Sequence, residues 1–145
     1  MLDALKAGNQ DAIVYRQMWC SALLAPLGTI MRWRLARLNG RLQDHWHWFP
    51  VGTFRANIIA CLVSAIVSGL LQSSQAWSPW GSTILYAIQS GFAGSMSTVS
   101  SFVVEANMLQ KSFPHHAKAF LYMGSTLLLA CALGLVVYIP IVRLL

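Results

Sequence analysis

Carboxylates are the scarcest chemistry in this chain. Its 145 residues hold four Asp and Glu against ten Lys and Arg. Three of the four, Asp3, Asp11 and Asp44, lie outside the long apolar runs, and the fourth is Glu105. That shortage leaves no paired carboxylates for acid–base work. Cys20, Cys61 and Cys131 stand apart, each inside an apolar run, with no CxxC and no Cys/His ligand spacing. A disulfide framework and a structural zinc site are thereby excluded. No Ser/His/Asp set, no Cys/His set and no phosphate-binding loop is found either, so no enzyme is expected. The opening "MLDALKAGNQDAIVYRQ" lacks the apolar core of a secretion signal. No repeat of 20–50 residues is visible. Charge of either sign is rare, at 10%, against about a quarter in soluble domains.

What fills the space is apolar. Hydrophobic residues make up 57% of the chain, and its mean hydropathy is +0.57. A net charge of +6 raises the thought of nucleic acid. The basic residues, however, sit between apolar blocks and form no basic face, which is how topology signals are placed. A membrane crossing needs about 20 mainly apolar residues. Residues 17–35, 50–71, 80–106 and 117–142 meet that need, the first least clearly because it holds Pro26 and Gly28. The expectation is an all-α membrane protein. A polar segment, 1–16, precedes one four-span domain, 17–145, whose short loops suit an antiparallel bundle. Trp33, Trp46, Trp48, Trp77 and Trp80 fall near span ends as an aromatic belt. His45 and His47 in "HWHW" have only Asp44 nearby, and with His115 and His116 they read as interfacial loop. Arg32, Arg34, Arg37, Arg41, Lys111 and Lys118 flank one side, while Lys6, Arg16 and Arg143 flank the other. This bias predicts termini outside the cell, and the expected location is the plasma membrane.

Polar groups inside the spans carry the functional signal. Asn57, Cys61, Ser64 and Ser68 share one face of the second span. Ser64 and Ser68, with Ala60, form a small-residue seam for close helix contact. A carboxamide at the depth of Asn57 needs partners, and it can donate to an anion. The third span holds "GFAGSMSTVSSF", whose glycines and hydroxyls cover every side of a helix. A helix broken at about 94–98 is expected, with freed carbonyls for a cation and a second half-helix whose N-terminus favours an anion. Tyr122 and, one turn later, Ser125 or Thr126 form a hydroxyl stripe that lines a vestibule or caps a helix. Arg32 and Arg55 snorkel to the interface, and Glu105 reaches water. With amides, hydroxyls and arginines inside and no central acid, the inventory suits an anion better than a cation.

Several motifs together resemble one family, the fluoride channels, called Fluc or CrcB in bacteria and FEX in eukaryotes. "GTIMRW" (28–33) matches its G-x-x-x-R-[YW] element, "GTFRAN" (52–57) its G-T-x-x-x-N, and "GFAGSMSTVSSFVVE" (91–105) its G-F-x-G-G-x-T-T-F-S-T-F-x-x-E. Tyr122 followed by Thr126 matches the fourth span. Order and spacing agree over about residues 22–140, and "APLGTIMRWRLARLNG" looks closer to one half of a eukaryotic FEX protein. The resemblance implies a passive fluoride channel subunit that empties cytoplasmic fluoride. It implies two four-span units paired antiparallel, as a homodimer or as fused or heteromeric halves. It implies that Asn57 meets fluoride, that Phe102 presents its positive ring edge, and that Ser100, Ser101, Tyr122, Thr126 and Arg32 line the path. It also implies a structural Na⁺ on the main-chain carbonyls of Gly94 and Ser97.

Departures from the pattern are specific. The first family phenylalanine is Val99 here, Ser95 replaces the second glycine, and Ser97 replaces the first threonine. Val99 has no ring quadrupole, which, with the charge bias, makes the chain look like one of two unlike halves. Two other classes compete. A small multidrug-type antiporter should carry a glutamate in its first span, and none lies between Gln17 and Leu35. A non-conducting structural subunit would use the small-residue seams alone.

Overall fold

Long apolar runs with few breakers dictate helices, and helices are what form. The computed structural model describes residues 2–41, 46–73, 77–111 and 116–144. Helix α1 runs Leu2–Ala36 and α2 runs Val51–Gln72. The third path is a composite of α3, Pro79–Ala87, a π-helical stretch, Ile88–Ala93, α4, Gly94–Met96, and α5, Val99–Lys111. Helix α6 runs His116–Leu144. His45 and His115 lie outside the described residues.

Two helices, Val51–Gln72 and Ala117–Leu144, are long and apolar enough to cross a membrane by composition alone. The other two paths are diluted, α1 by arginines and the third by its Gly/Ser/Thr stretch. Burial is inverted relative to a water-soluble protein. Leu128, Leu135 and Val136 of α6 are mostly exposed, as are Trp19 and Leu23 of α1. The interior holds small residues instead, with Ala60, Ala93 and Met96 packed against Ile59, Val63 and Phe92. Small interior and apolar exterior is the pattern of helices packed in lipid.

Helix α1 contains 35 residues, about 52 Å at 1.5 Å per residue. That exceeds a hydrocarbon core of about 30 Å. The expected polar stretch 1–16 is helical from Leu2 and continuous with the span. Two cation–π contacts mark the levels: Arg16 lies 5.3 Å from the Trp80 ring centroid, and Arg37 lies 4.3 Å from that of Trp33. The residues between them match the bilayer thickness. Gly40, with φ 74°, ends the turn that follows the helix.

The third path begins where Ser78 accepts from the Gly81 N–H at 3.1 Å, with Pro79 next in line. It then lies against α1 at backbone distance. A Cβ at Gly28 would collide with the Phe92 carbonyl and the Ser95 hydroxyl. A Cβ at Gly91 would collide with Ser21, whose Cα would stand 2.8 Å away. Backbone cannot swing aside as a side chain can. Gly91→Val is therefore expected to destabilise the unit by about 1–3 kcal/mol, the usual cost of overpacking. It should show as a lower melting temperature in detergent. Melting at the unchanged temperature would mean that α1 and the third path do not approach this closely.

Candidate ion site at the break in the third span

The break is made by one redirected hydrogen bond. In a continuous helix the Thr98 N–H would bond to the Gly94 carbonyl four residues back. Here it donates to Asn57 Oδ1 of α2, at 2.9 Å. Ser97 is extended, with φ −72° and ψ 153°, so the chain leaves the helical path there. The Gly94 carbonyl accepts from the Ser97 hydroxyl, at 3.5 Å. Gly94 and Ser97 are both exposed. Thr98 then restarts the helix. Its hydroxyl accepts from the Ser101 N–H at 3.3 Å and lies 3.2 Å from the Ser100 hydroxyl and 3.3 Å from that of Ser101. This is an N-cap, and the first N–H groups of α5 lack partners within the helix.

Two cavities meet at Thr98. One, of about 280 Å³, is lined by Asn57, Ser97, Thr98, Val99, Phe102 and Thr126, among others. The other, of about 510 Å³, is lined by Arg32 with Thr29, Trp33, Thr53, Thr98 and Ser101. Asn57 Nδ2 faces the Thr98 carbonyl at 3.5 Å, the outer limit of a hydrogen bond. Asn57 is also one of the residues that line the smaller cavity. Donors from Asn57, the α5 N-terminus and Arg32 suit an anion, while the carbonyls around Gly94 and Ser97 suit a hard cation.

Behind Arg32 lies a polar knot that ties four helical paths. Glu105 Oε1 accepts from Thr53 Oγ1 at 2.5 Å and from Asn39 Nδ2 at 2.9 Å. Glu105 Oε2 accepts from the Tyr122 hydroxyl at 2.8 Å. Asn39 Oδ1 also accepts from the N–H groups of Gly52 at 2.6 Å and Thr53 at 3.3 Å. It thereby caps α2, whose own N-cap residue, Pro50, offers no side-chain bond. The Tyr122 ring is fully buried, edge-on to Phe49 at 5.4 Å and tilted against Phe102 at 5.1 Å.

The sequence-predicted residues therefore divide. Asn57, Phe102 and Thr126 share the smaller cavity. Arg32 and Ser101 line the larger one, and Ser100 joins Ser101 beside Glu105 on a third. Gly94 and Ser97 stand at the break. Tyr122 is committed to Glu105 instead of an open track, and Thr126 returns its hydroxyl to the Tyr122 carbonyl at 2.7 Å. Glu105, read as reaching water, is half-buried and also takes three donors, from Asn39, Thr53 and Tyr122. The polar face of α2 also splits by partner. Cys61 donates to the Ala130 carbonyl at 3.3 Å, and Ser68 accepts from Gln89 at 2.8 Å. Ser95, the replacement for a glycine, donates to the Ala25 carbonyl of α1 at 2.8 Å.

A family model described as CrcB-like protein, Camphor Resistance (CrcB), matches residues 19–138. The chain belongs to the CrcB-like family. The matched region takes in part or all of each of the four helical paths of this CrcB-like chain, and it is an all-α membrane protein with a broken third span. Fluoride export protein 1 of Candida albicans is 30% identical over 133 residues, covering 84% of this chain and 31% of that protein. Fluoride-specific ion channel FluC 2 of Rhodococcus jostii is 34% identical over 86 residues, covering 59% and 68%. Fluoride-specific ion channel FluC of Bordetella pertussis is 35% identical over 105 residues, covering 71% and 73%. The CrcB-like chain thus spans about a third of its fungal relative and about 70% of its bacterial ones.

Proposed function

We propose that the chain is one unit of a passive, fluoride-selective channel that lets cytoplasmic fluoride run out across the plasma membrane, its termini outside. The observation that carries this reading is Asn57. It takes the Thr98 N–H at the break in the third span and lines the cavity it shares with Phe102 and Thr126. Relatives at 30–35% identity are named for fluoride. The absence of a central acid from the spans argues against a cation or proton-coupled carrier.

The working assembly in this reading is a pair of inverted four-span units. Gly94, Ser97 and Ser100 are exposed at the middle of a span. Backbone freed from a helix is not tolerated against acyl chains; it must be covered by protein or line a cavity. A partner placed over the break supplies that cover. A Na⁺ held between the units by the Gly94 and Ser97 carbonyls would neutralise the open oxygens. Val99 is 76% exposed at the cavity lip, where a ring would be needed for an edge contact. The partner is therefore taken to be an unlike unit, fused or separate.

Two preparations test this. The native assembly, captured from membranes by a tag on this chain and placed in liposomes, should release fluoride to an electrode. The chain alone should not. Robust release from the chain alone would refute the unlike-partner idea, and no release from the native assembly would refute the channel. The cation has its own readout. Replacing Na⁺ by a bulky organic cation should lower the melting temperature of the native assembly. At Na⁺ a hundredfold above its Kd, the lost stabilisation is about 2.7 kcal/mol. An unchanged melting temperature would remove Na⁺ from the account.

A further inference from the structure

One basic surface is left over by the ion site. Arg32 lines the larger cavity, but Arg34, Arg37 and Arg41, just beyond it, are all exposed. None of these three forms an ion pair among the described residues. Among the described residues, Glu105 already accepts from Asn39, Thr53 and Tyr122. Their level is fixed by the adjoining aromatics. Arg37 stacks on Trp33, which is 55% exposed. On the same end of the bundle, Lys118 lies 5.6 Å from the Trp48 ring centroid. Exposed indoles sit at the level of lipid headgroups, so the arginines beside them emerge where headgroups, and not acyl chains, are the neighbours.

We propose that Arg34, Arg37 and Arg41, with Trp33 beside them and Lys118 on Trp48, form a docking surface for acidic phospholipid headgroups. Charge and height argue for this occupant together. Guanidiniums with no ion pair among the described residues present paired donors that match phosphate and carboxylate oxygens. Clusters of basic residues at the end of a span are attracted by anionic lipid. The other end of α1 has the same kind of contact, Arg16 over Trp80, but fewer basic residues around it. Two basic residues of the proposed surface, Arg37 and Lys118, are held on aromatics at the headgroup level. Held there, an acidic lipid would brace the end of α1 whose Arg32 faces the cavity.

The test uses the purified full chain in neutral detergent. Native mass spectrometry follows its titration with phosphatidylserine or with phosphatidylcholine of matched acyl chains. The expected result is at least about tenfold tighter retention of phosphatidylserine, and loss of that preference in R34Q/R37Q/R41Q. The variant R16Q/R143Q, at the opposite end, should keep the preference. Equal retention of the two lipids by the unmodified chain would overturn the proposal whether or not the triple variant folds. So would an equal loss in R16Q/R143Q, because the attraction would then be diffuse.

Discussion

Asn57→Asp should nearly abolish fluoride release from the native assembly while leaving its fold intact. The two effects separate because the carboxamide does two jobs with two atoms. Its Oδ1 accepts the Thr98 N–H at 2.9 Å, and a carboxylate oxygen does the same. Its Nδ2, which faces the Thr98 carbonyl at 3.5 Å, becomes an acceptor carrying negative charge beside the cavity. Two like charges about 4 Å apart at an effective dielectric constant of 20 repel by about 4 kcal/mol. That corresponds to roughly a thousandfold in occupancy. Size-exclusion behaviour and helix content should stay unchanged while the electrode rate collapses. A residue that only packs would give the opposite pair of results, a stability cost with flux retained. Asn57→Ala is the companion change. It removes the acceptor as well, so the Thr98 N–H returns toward Gly94 and both fold and flux should suffer.

Glu105→Ala is expected to give the largest loss of stability. It removes the acceptor of three donors at once, on Asn39, Thr53 and Tyr122, and Asn39 alone of the three keeps another partner, Thr53 Oγ1. Tyr122 is fully buried, so its hydroxyl cannot turn to water. Each stranded donor costs about 1–3 kcal/mol. A total of at least about 3 kcal/mol should lower the melting temperature in detergent by about 10 °C. Glu105→Gln keeps the shape and one carbonyl oxygen, and should recover most of the loss. Identical melting of the alanine variant and the unmodified chain would mean that the knot is not formed. The same measurement on Tyr122→Phe should give a smaller drop, since one hydrogen bond is lost and the acidic oxygen keeps no unpaired proton.

Much of this could be read before any coordinates. Composition alone gave helices in a bilayer, because a chain with so few charges cannot solvate its surface. The break near 94–98 was legible in the Gly/Ser/Thr stretch, since glycine and hydroxyl residues both compete with regular helix. What could not be read was its agent. Local propensity says that a helix is weak; it does not say that Asn57, on another helix, takes the N–H of Thr98. Asn39 was missed for a similar reason. Before Gly40 an asparagine reads as a turn residue, yet its side chain reaches across the loop to cap α2. Glu105 had a signal that was undervalued. A lone acid in an apolar span needs donors close by, and Thr53 and Tyr122 were already marked on neighbouring spans. Tyr122 and Thr126 were found by spacing, but spacing cannot distinguish a hydroxyl that faces a path from one already used by its own helix.

The central claim is that the gap held open by Asn57, covered by a second unit, passes fluoride and little else. The direct measurement is paired electrode recordings of fluoride and chloride release from liposomes carrying the native assembly, under one gradient and with proton movement shunted. The account predicts rapid fluoride release, chloride release slower by at least about a hundredfold (about 2.7 kcal/mol of discrimination), and near-complete loss of the fluoride signal in Asn57→Asp. Equal rates for the two anions, or fluoride release that survives Asn57→Asp undiminished, would contradict it.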